Sequence, residues 1–322
     1  MASCAPVRAT IAVLTFNARR YLAELLEACR AQDAPFDFEI LVIDSGSTDG
    51  TVALLSEHPD VRVVEIPNRE FGHGRTRNLA ARLATGEIVV FLTQDATPAH
   101  RGWLAELVAP FEGDARIAAV YGKQVPRPDC CPTVRRDVVR AFRRIGPPHG
   151  VVVAESGSGF SNVNSAVRRD VLARIPFRDV GYAEDAALAE DLHQAGLATA
   201  YAADAAVLHS HDLPLGAYFR RMYDEARGLR GMGLGGRPNV LRLAAATVVG
   251  TLGDWAFVAR DSGYDRPEKL SWLAKVPLYN VARRTAILLA AVDRLPASVS
   301  AALSLDARRR RVVRDLAPAS PQ

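Results

Sequence analysis

Two acidic residues stand at the ends of apolar runs in the first hundred residues. Asp44 closes the run EILVID, and Asp95 follows VVFLTQ. A carboxylate in such a place can accept hydrogen bonds from a base or a ribose, or it can hold a hard cation such as Mg²⁺ or Mn²⁺. The turn after Asp44 leads into a predicted helix, whose first N–H groups attract anions. Either acid could instead cap the helix that follows it.

A second pair of acids, Glu184 and Asp185, begins a predicted helix over Ala183–Ala195. A carboxylate there could act as a general base that takes a proton from an attacking hydroxyl. Successive side chains on a helix point about 100° apart, so only one of the two would face a site. Acids at a helix start also stabilise the helix dipole without any catalytic role.

Histidines and arginines supply further candidate groups. His209 and His211 follow a short apolar run and could complete a metal site with Asp95 or contact phosphate. The stretch FGHGRTRN, Phe71–Asn78, combines glycines with arginines that suit phosphate or carboxylate. It is not a dinucleotide-binding motif, because the third glycine position is Arg77.

Alternating strands and helices must position these residues. Apolar runs predict strands over residues 10–15, 39–44, 61–66, 87–93 and 117–121, with helices over 19–31, 47–57, 76–84 and 103–111. Strands that are apolar throughout are covered on both faces, and the alternation implies a parallel sheet. Ligands of such sheets bind beyond the carboxyl ends of the strands. We therefore expect Thr15, Asp44 and Asp95 at one edge.

The rest of the chain is predicted in less detail. Residues 126–148, rich in proline and arginine, are expected to form a mobile loop. Strands are predicted over 161–167, 198–202 and 206–208, and helices over roughly 215–229, 240–260, 267–290 and 298–316. We expect a catalytic α/β domain over residues 1–212 and a basic, mainly helical region over 213–322.

The charge is unevenly distributed along the chain. Residues 213–322 carry 18 basic and 9 acidic residues, whereas the remainder is net acidic. An acidic front half suits a metal site. A basic back half suits an anionic surface, such as membrane headgroups or a lipid-linked phosphate, although a solvated basic surface is equally compatible.

Cysteine content and hydropathy predict the compartment. Cys4, Cys29, Cys130 and Cys131 show no CxxC spacing and are expected to be reduced thiols of a cytoplasmic protein. The N-terminal residues lack the apolar stretch of a signal peptide. The longest uncharged apolar run, Leu243–Gly253, is shorter than the roughly 20 residues that span a bilayer. We expect no integral membrane segment, and peripheral attachment to the inner face of the membrane stays open.

Taken together, the motifs resemble glycosyltransferase family 2, the inverting group with the GT-A fold. The matching stretches are TFN (15–17), DSGSTDGT (44–51), RN (77–78), FLTQDATP (91–98) and YAEDAALAEDLHQAG (182–196). EFGHGRTRN, the TQDA strand end, VYGKQVPRP and HSHD look most like bacterial rhamnosyltransferases of cell-surface polysaccharides. The resemblance covers about residues 7–223. It implies a Rossmann-like, mostly parallel sheet flanked by helices, with a helical C-terminal extension.

The resemblance also implies roles for individual residues. Donor binding would fall to Thr15, Asn17, Asp44, Ser47, Arg77, Asn78 and Gln94. Asp95 would be the last acid of the DxD metal motif and hold Mg²⁺ or Mn²⁺, with His209 or His211 near the metal and the diphosphate. The first Asp of that motif is Thr93 here, which leaves Asp95 as the main carboxylate. Asp185 would be the catalytic base, and Glu184 would support the acceptor.

The implied reaction moves a sugar from a nucleotide sugar to a glycan or a lipid-linked acceptor, with dTDP-rhamnose as the first donor and a UDP-sugar as the second. A homodimer is compatible with the helical region. A nucleotidyltransferase is disfavoured, because TFNARR stands where a glycine-rich loop with lysine is expected. A catalytically inactive nucleotide- or glycan-binding module is the main alternative. Nucleic-acid binding would rest only on the basic back half, and we expect none.

Overall fold

The computed structural model describes residues 7–128, 130–157, 159–180, 183–210, 213–231, 238–292, 295–305 and 307. The chain divides into two compact units. The first comprises residues 1–127 and 138–210, and the second comprises residues 128–137 and 211–322. The predicted site residues that are described all lie in the first unit.

One sheet forms the centre of the first unit. Its strands within the described residues are β1 Ala9–Thr15, β2 Phe38–Asp44, β3 Val61–Glu65, β4 Ile88–Thr93, β5 Thr97–Pro98, β6 Ile117–Val125, β7 Val151–Ala154, β8 Asn164–Arg168 and β9 Ala198–Leu208. The strand order is β3-β2-β1-β4-β8-β6-β9-β5, and β7 pairs with β9. The first four strands in this order are parallel. The expected α/β class with a mostly parallel sheet is confirmed.

The strand β8 runs against both of its neighbours, β4 and β6. Its first residue, Asn164, pairs with Leu92 near the carboxyl end of β4. On the other side of β4, Thr93 pairs with Leu14, and Thr15 pairs with Asp44. The carboxyl ends of β1, β2 and β4 and the beginning of β8 therefore lie along one edge of the sheet.

Helices cover both faces of the sheet. Those of the first part of the chain are α1 Arg19–Arg30, α2 Thr51–Ser56, α3 His73–Leu83, α4 Trp103–Val108, α5 Pro110–Gly113, α6 Pro132–Ile145, α7 Arg169–Arg174 and α8 Glu184–Gln194. Apolar residues at helical spacing on α1, such as Leu22 and Leu26, pack with Val13 in one layer of the core. Leu188 and Leu192 of α8 pack with Phe91 in the layer on the other face.

The prediction of a mobile loop over residues 126–148 is wrong for most of its length, because α6 occupies Pro132–Ile145. Pro132 is compatible with the helix because a proline in the first turn removes an N–H that has no intrahelical partner. The following residues contain neither proline nor glycine, and arginine favours helices.

Two smaller corrections concern element boundaries. Residues 198–202 and 206–208, predicted as separate strands, belong to the single strand β9. The helix predicted to start near Ser47 begins at Thr51 instead, after Gly50 in the left-handed conformation. Glycine adopts this conformation without steric cost, so the chain can make a tight turn between Asp44 and α2.

The second unit is helical. Its helices are α9 Leu215–Gly231, α10 Val240–Arg260, α11 Arg266–Ala290 and α12 Ala297–Leu303. Tyr218 and Tyr279 pack with Cys131 in one cluster, with 5.0 Å between the two ring centroids. Asp254 of α10 is fully buried, and its carboxylate lies 2.9 Å from the guanidinium of Arg136.

Among the described residues, one helix is long and apolar enough to cross a membrane by length and composition, namely α10 with 21 residues. The expectation of no such segment counted only the uncharged run over Leu243–Gly253. The helix α10 continues past Asp254, because the buried charge of this residue is compensated by the guanidinium of Arg136.

Candidate active site

Asp44 is the centre of a hydrogen-bond network at the carboxyl edge of the sheet. Its Oδ1 accepts from the backbone N–H groups of Gly46 and Ser47, at 3.1 and 2.8 Å. Its Oδ2 accepts from the hydroxyls of Thr15 and Ser47, at 2.9 and 2.6 Å. Asp44 has no exposed surface. In this structure the carboxylate therefore holds the loop after β2 in place, instead of standing open to a ligand.

Asn17 and Gln94 extend this network across the strand ends. The N–H of Asn17 donates to the Ser47 hydroxyl at 2.8 Å, and the Asn17 side chain accepts from the N–H of Thr48 at 2.9 Å. Asn17 has a φ of 51°, a left-handed conformation that asparagine tolerates better than most residues. Gln94 makes two hydrogen bonds to the backbone of Phe16, which fixes the end of β4 against the end of β1.

Asp95 and His209 come together at the same edge. The Nε2 of His209 lies 3.6 Å from Oδ1 of Asp95. His209 follows β9, whose Leu208 pairs with Thr97 two residues after Asp95. The other ring nitrogen, Nδ1, lies 3.0 Å from Oε1 of Gln124.

Gln124 determines which nitrogen of the neutral imidazole carries the proton. Its Nε2 donates to the Ser161 hydroxyl at 3.1 Å, so its Oε1 is the atom that faces His209. An amide oxygen only accepts, and Nδ1 of His209 must therefore be the donor. In the neutral ring the Nε2 lone pair then points towards the Asp95 carboxylate, and these two electron-pair donors suit a cation between them.

Glu184 forms a buried ion pair with Arg77. Nη1 of Arg77 lies 2.8 Å from Oε1 of Glu184, and both side chains are less than a tenth exposed. The amide of Asn162 donates to the same carboxylate oxygen at 3.2 Å. Burial opposes ionisation of Glu184, but the charges of Arg77 and His73 and the Asn162 hydrogen bond together lower its pKa. Glu184 is thus held as a carboxylate.

Asp185 lies beside this ion pair and is partly exposed. Its carboxylate accepts from the N–H groups of Ala186 and Asn162, at 2.8 and 3.3 Å. Burial, followed by the negative charge of Glu184, raises the pKa of Asp185 to about 6. A carboxylate with a raised pKa is a stronger base that is still ionised at neutral pH, which suits proton abstraction from a hydroxyl.

Asn78 does not join these groups. Its side-chain amide donates to the carbonyl of Phe177 and accepts from the N–H of the same residue, at 2.8 and 2.9 Å. The side chain therefore ties α3 to the segment that precedes α8. Arg77, also predicted to bind the donor, is engaged with Glu184. His211 lies outside the described residues.

Three residues of this site were not predicted from the sequence. Asn162 links the two acids of α8, and Gln124 orients His209. Arg127 contacts the backbone of Asp95, the candidate metal ligand. The guanidinium of Arg127 donates to the carbonyl of Asp95 and the hydroxyl of Thr97, at 3.3 and 2.6 Å. Gln124 and Arg127 both lie in the stretch VYGKQVPRP, whose likeness to the family assigns no role to either residue. No sequence signal connected Asn162 with α8.

Within the described part of the chain, no group of three or more His, Cys, Asp or Glu side chains could hold a metal ion unaided. Asp95 and His209 supply two donors. A bound ion would need ligands beyond these two described residues. This requirement is compatible with a diphosphate-bearing substrate, whose oxygens Mg²⁺ and Mn²⁺ prefer.

Comparisons with known proteins agree with the expected family. The model of the family described as Glycosyl transferase family 2 matches residues 10–175. An O-antigen chain rhamnosyltransferase of Salmonella typhimurium is 33% identical over 234 residues, which cover 68% of this chain and 71% of that protein. An O-antigen chain rhamnosyltransferase of Salmonella anatum is 34% identical over 197 residues, 58% of this chain and 61% of that protein.

Solved structures support the fold. A mannosyltransferase from Pyrobaculum calidifontis in complex with GDP-Man and Mn²⁺ aligns with a TM-score of 0.57 and 25% identity, covering 89% of this chain and 90% of that one. Staphylococcus aureus TarS in complex with UDP aligns with a TM-score of 0.50 and 18% identity, covering 95% and 87%. The family match spans half of the sequence, and the first rhamnosyltransferase aligns over more than two thirds of its length. The chain is a glycosyltransferase and belongs to glycosyl transferase family 2.

Proposed function

We propose that the chain transfers a sugar from a nucleotide diphosphate sugar to a hydroxyl of a glycan or lipid-linked acceptor, with inversion at the anomeric carbon. The observation that carries this proposal is the environment of Asp185. A carboxylate with a pKa raised to about 6 is held by two backbone N–H groups, beside the fixed charge of Glu184. Residues 1–212 would carry the reaction, and residues 213–322 would form an accessory region.

In this mechanism Asp185 takes the proton of the acceptor hydroxyl as its oxygen attacks the anomeric carbon. The attack comes from the face opposite the leaving nucleotide diphosphate, so one displacement inverts the centre. Glu184, kept ionised by Arg77, supports the acceptor and strengthens Asp185 as a base by raising its pKa. Asn162 positions both carboxylates through its amide and its backbone N–H.

The donor nucleotide would bind at the ends of β1 and β2. Asn17 is exposed and Ser47 is half-buried. Both are held in place by the network around Asp44 and Thr15. In this arrangement Asp44 acts mainly by fixing the loop on which the nucleoside rests. Gln94, through the backbone of Phe16, keeps this loop region in register with Asp95.

Asp95 and His209 fit a divalent cation, Mg²⁺ or Mn²⁺, together with oxygens of the donor diphosphate. A carboxylate and an imidazole Nε2 with its lone pair are both suitable ligands, and Gln124 fixes the ring in the required tautomer. When bound, such a cation neutralises the charge that develops on the leaving diphosphate. The relative bound to GDP-Man and Mn²⁺ supports this assignment.

The sugar that we propose is L-rhamnose from dTDP-rhamnose, with a UDP-sugar as the alternative donor. The two Salmonella relatives are named O-antigen chain rhamnosyltransferases, which also favours a cell-surface polysaccharide as acceptor. The nucleotide sugar and the reduced cysteines suit a cytoplasmic enzyme. Staphylococcus aureus TarS, the more distant structural relative, was solved with UDP bound. We therefore include UDP-sugars in the donor panel described below.

A donor panel tests the proposal. Purified protein is incubated with dTDP-rhamnose, UDP-sugars and GDP-mannose, with Mg²⁺ or Mn²⁺ or with a chelator, and nucleotide diphosphate release and binding are measured. We expect selective, metal-dependent binding and slow hydrolysis of dTDP-rhamnose. Asp185→Asn is expected to retain donor binding and to lose turnover by about a hundredfold or more. Binding of a nucleotide sugar without any turnover by the wild type would favour a non-catalytic module.

A further inference from the structure

The two longest helices of the second unit carry an exposed apolar surface, which we call the apolar stripe. On α10, exposed residues at three- and four-residue spacing are all apolar: Leu241, Ala245, Val248, Leu252, Trp255 and Ala259. Leu241 is 80% exposed, Val248 59% and Leu252 55%. With 1.5 Å of rise per residue, this row is about 27 Å long. Solvent-facing helix surfaces are ordinarily polar, and this one is not.

The opposite face of α10 is fully engaged inside its own unit. Asp254 pairs with Arg136 at 2.9 Å, and its other oxygen accepts from the amide of Asn280 at 2.7 Å. Gly250 lies so close to α11 that an added Cβ would come within 2.4 Å of the Asn280 side chain. The helix is thus held along one side, and it presents its apolar side outward along its whole length. This arrangement suits a helix lying in a surface, not one crossing a bilayer.

The neighbouring helix α11 also exposes apolar side chains, alongside the exposed polar residues Ser271 and Lys275. Leu270, Leu278 and Val281 are 69%, 54% and 52% exposed. The indole N–H of Trp255 donates to the carbonyl of Leu273 at 2.9 Å, which ties α10 to α11. Trp255 keeps part of its ring exposed, and a tryptophan with an apolar ring and a satisfied N–H is typical of the boundary between lipid and water.

Positive charges flank the apolar stripe. Between Leu243 and Ala259 the one charged residue is the buried Asp254, whereas Arg242 and Arg260 stand at the two ends of α10. Together α10 and α11 contain seven basic and two acidic residues, and one of the seven, Arg283, is paired with Asp137 inside the unit. We propose that the apolar stripe docks in the plane of a membrane that carries anionic lipids. The apolar residues would enter the boundary of the acyl chains, and the basic residues would contact the headgroups.

The same charge pattern disfavours a second copy of this chain as the occupant. A twofold contact brings identical surfaces together, so the basic ends of the apolar stripe would face basic ends. Like charges across an interface oppose association, whereas anionic headgroups complement them. This inference rests on α10 and α11 alone and is independent of the proposed transfer reaction.

The test is cosedimentation of the full chain with vesicles of phosphatidylcholine alone or mixed with an equal amount of phosphatidylglycerol. The variant Val248→Glu/Leu252→Glu places two charges in the apolar stripe. Its matched control is Val151→Glu/Val153→Glu, in which two valines of β7, 50% and 46% exposed, receive the same change. Folding is checked by thermal unfolding, and donor binding is measured separately.

We expect the wild type and the control to bind the anionic vesicles, with less binding at high salt. The stripe variant should lose at least about tenfold in partitioning while it unfolds at a similar temperature and binds nucleotide sugar normally. Equal binding by the stripe variant, or no vesicle binding by the folded wild type, would overturn the proposal. A concentration-dependent dimer that the stripe variant dissociates would instead assign this surface to a second copy.

Discussion

Arg77 and Glu184 form a buried ion pair, with 2.8 Å between Nη1 of Arg77 and Oε1 of Glu184. Glu184 is the residue that precedes Asp185 in the chain. Because the guanidinium keeps Glu184 ionised, a fixed negative charge lies next to Asp185. That charge and burial raise the pKa of Asp185. The two adjacent acids of α8 therefore have different properties: Glu184 stays ionised well below neutral pH, and Asp185 exchanges its proton near pH 6.

The first prediction concerns the pH dependence of transfer. Asp185 must be deprotonated to act as a base, and its pKa is raised to about 6. The kcat/KM for transfer should therefore be at its maximum above pH 7 and should fall as the pH drops through about 6. The measurement is kcat/KM against pH under conditions where the protein stays folded. If kcat/KM instead falls only near pH 4, the ordinary pKa range of an aspartate, Asp185 is not the base.

The second prediction separates Glu184 from Asp185. In Glu184→Gln the neighbouring negative charge is lost and the Arg77 charge remains, so the pKa of Asp185 should fall. The acid limb of the pH profile should move down by about one pH unit or more, whatever happens to the maximal rate. Glu190→Gln, on an exposed position of the same helix, is the matched control and should leave the limb unmoved. An unchanged limb in Glu184→Gln would mean that burial alone sets the pKa of Asp185.

A third prediction follows from linkage between protonation and folding. Since the pKa of Asp185 is higher in the folded chain than the ordinary value of 3.8, ionisation of this group favours the unfolded state. The penalty is absent below about pH 4, grows up to about pH 6 and is constant above. Asp185→Asn should increase the free energy of unfolding at pH 8 by up to about 3 kcal/mol and have little effect at pH 4. Denaturant unfolding at the two pH values measures the difference, and a variant less stable than wild type at pH 8 would contradict it.

The fourth prediction concerns the proposed metal ligands. Gln124 holds Nδ1 of His209 at 3.0 Å and so keeps the Nε2 lone pair towards Asp95. Gln124→Ala should raise the Mn²⁺ concentration for half-maximal activity by about tenfold or more, because the ring loses its orienting partner. Gln194→Ala, at an exposed position at the end of α8, is the control and should behave as wild type. An unchanged metal requirement in Gln124→Ala would argue against His209 as a ligand.

The sequence predicts the parallel part of the sheet well, because buried strands such as β2 and β4 consist of continuous apolar residues with polar residues directly after them. It also identifies Thr15, Asp44 and Asp95 as neighbours at one edge. The direction of β8 could not be predicted, since residues 164–168 have the same pattern whichever way the strand runs. The prolines and arginines of residues 126–148 are typical of a loop, but Pro132 begins a helix here and the arginines favour it.

Sequence motifs single out individual candidate residues of the site, but they carry no information about side-chain geometry. Nothing in the sequence indicates that Asp44 is enclosed by four hydrogen bonds, or that the Asn78 amide is used by the backbone of Phe177. The same holds for Asn162, which lies 22 residues from Glu184 and meets it only through the pairing of β8. Contacts of this kind depend on tertiary structure and have no local pattern.

The reversed direction of β8 has a consequence for how this enzyme can diversify. In a fully parallel sheet, new specificity comes from the loops that follow the strands. Here the chain that enters β8 reaches the same edge, and it brings Asn162 to the two acids of α8. A change in that entering segment could therefore reshape the surroundings of Asp185 while the loops after β1 and β2, which we propose to bind the nucleotide, stay intact. Under the proposed function, acceptor choice and donor choice can therefore evolve on separate segments of the chain.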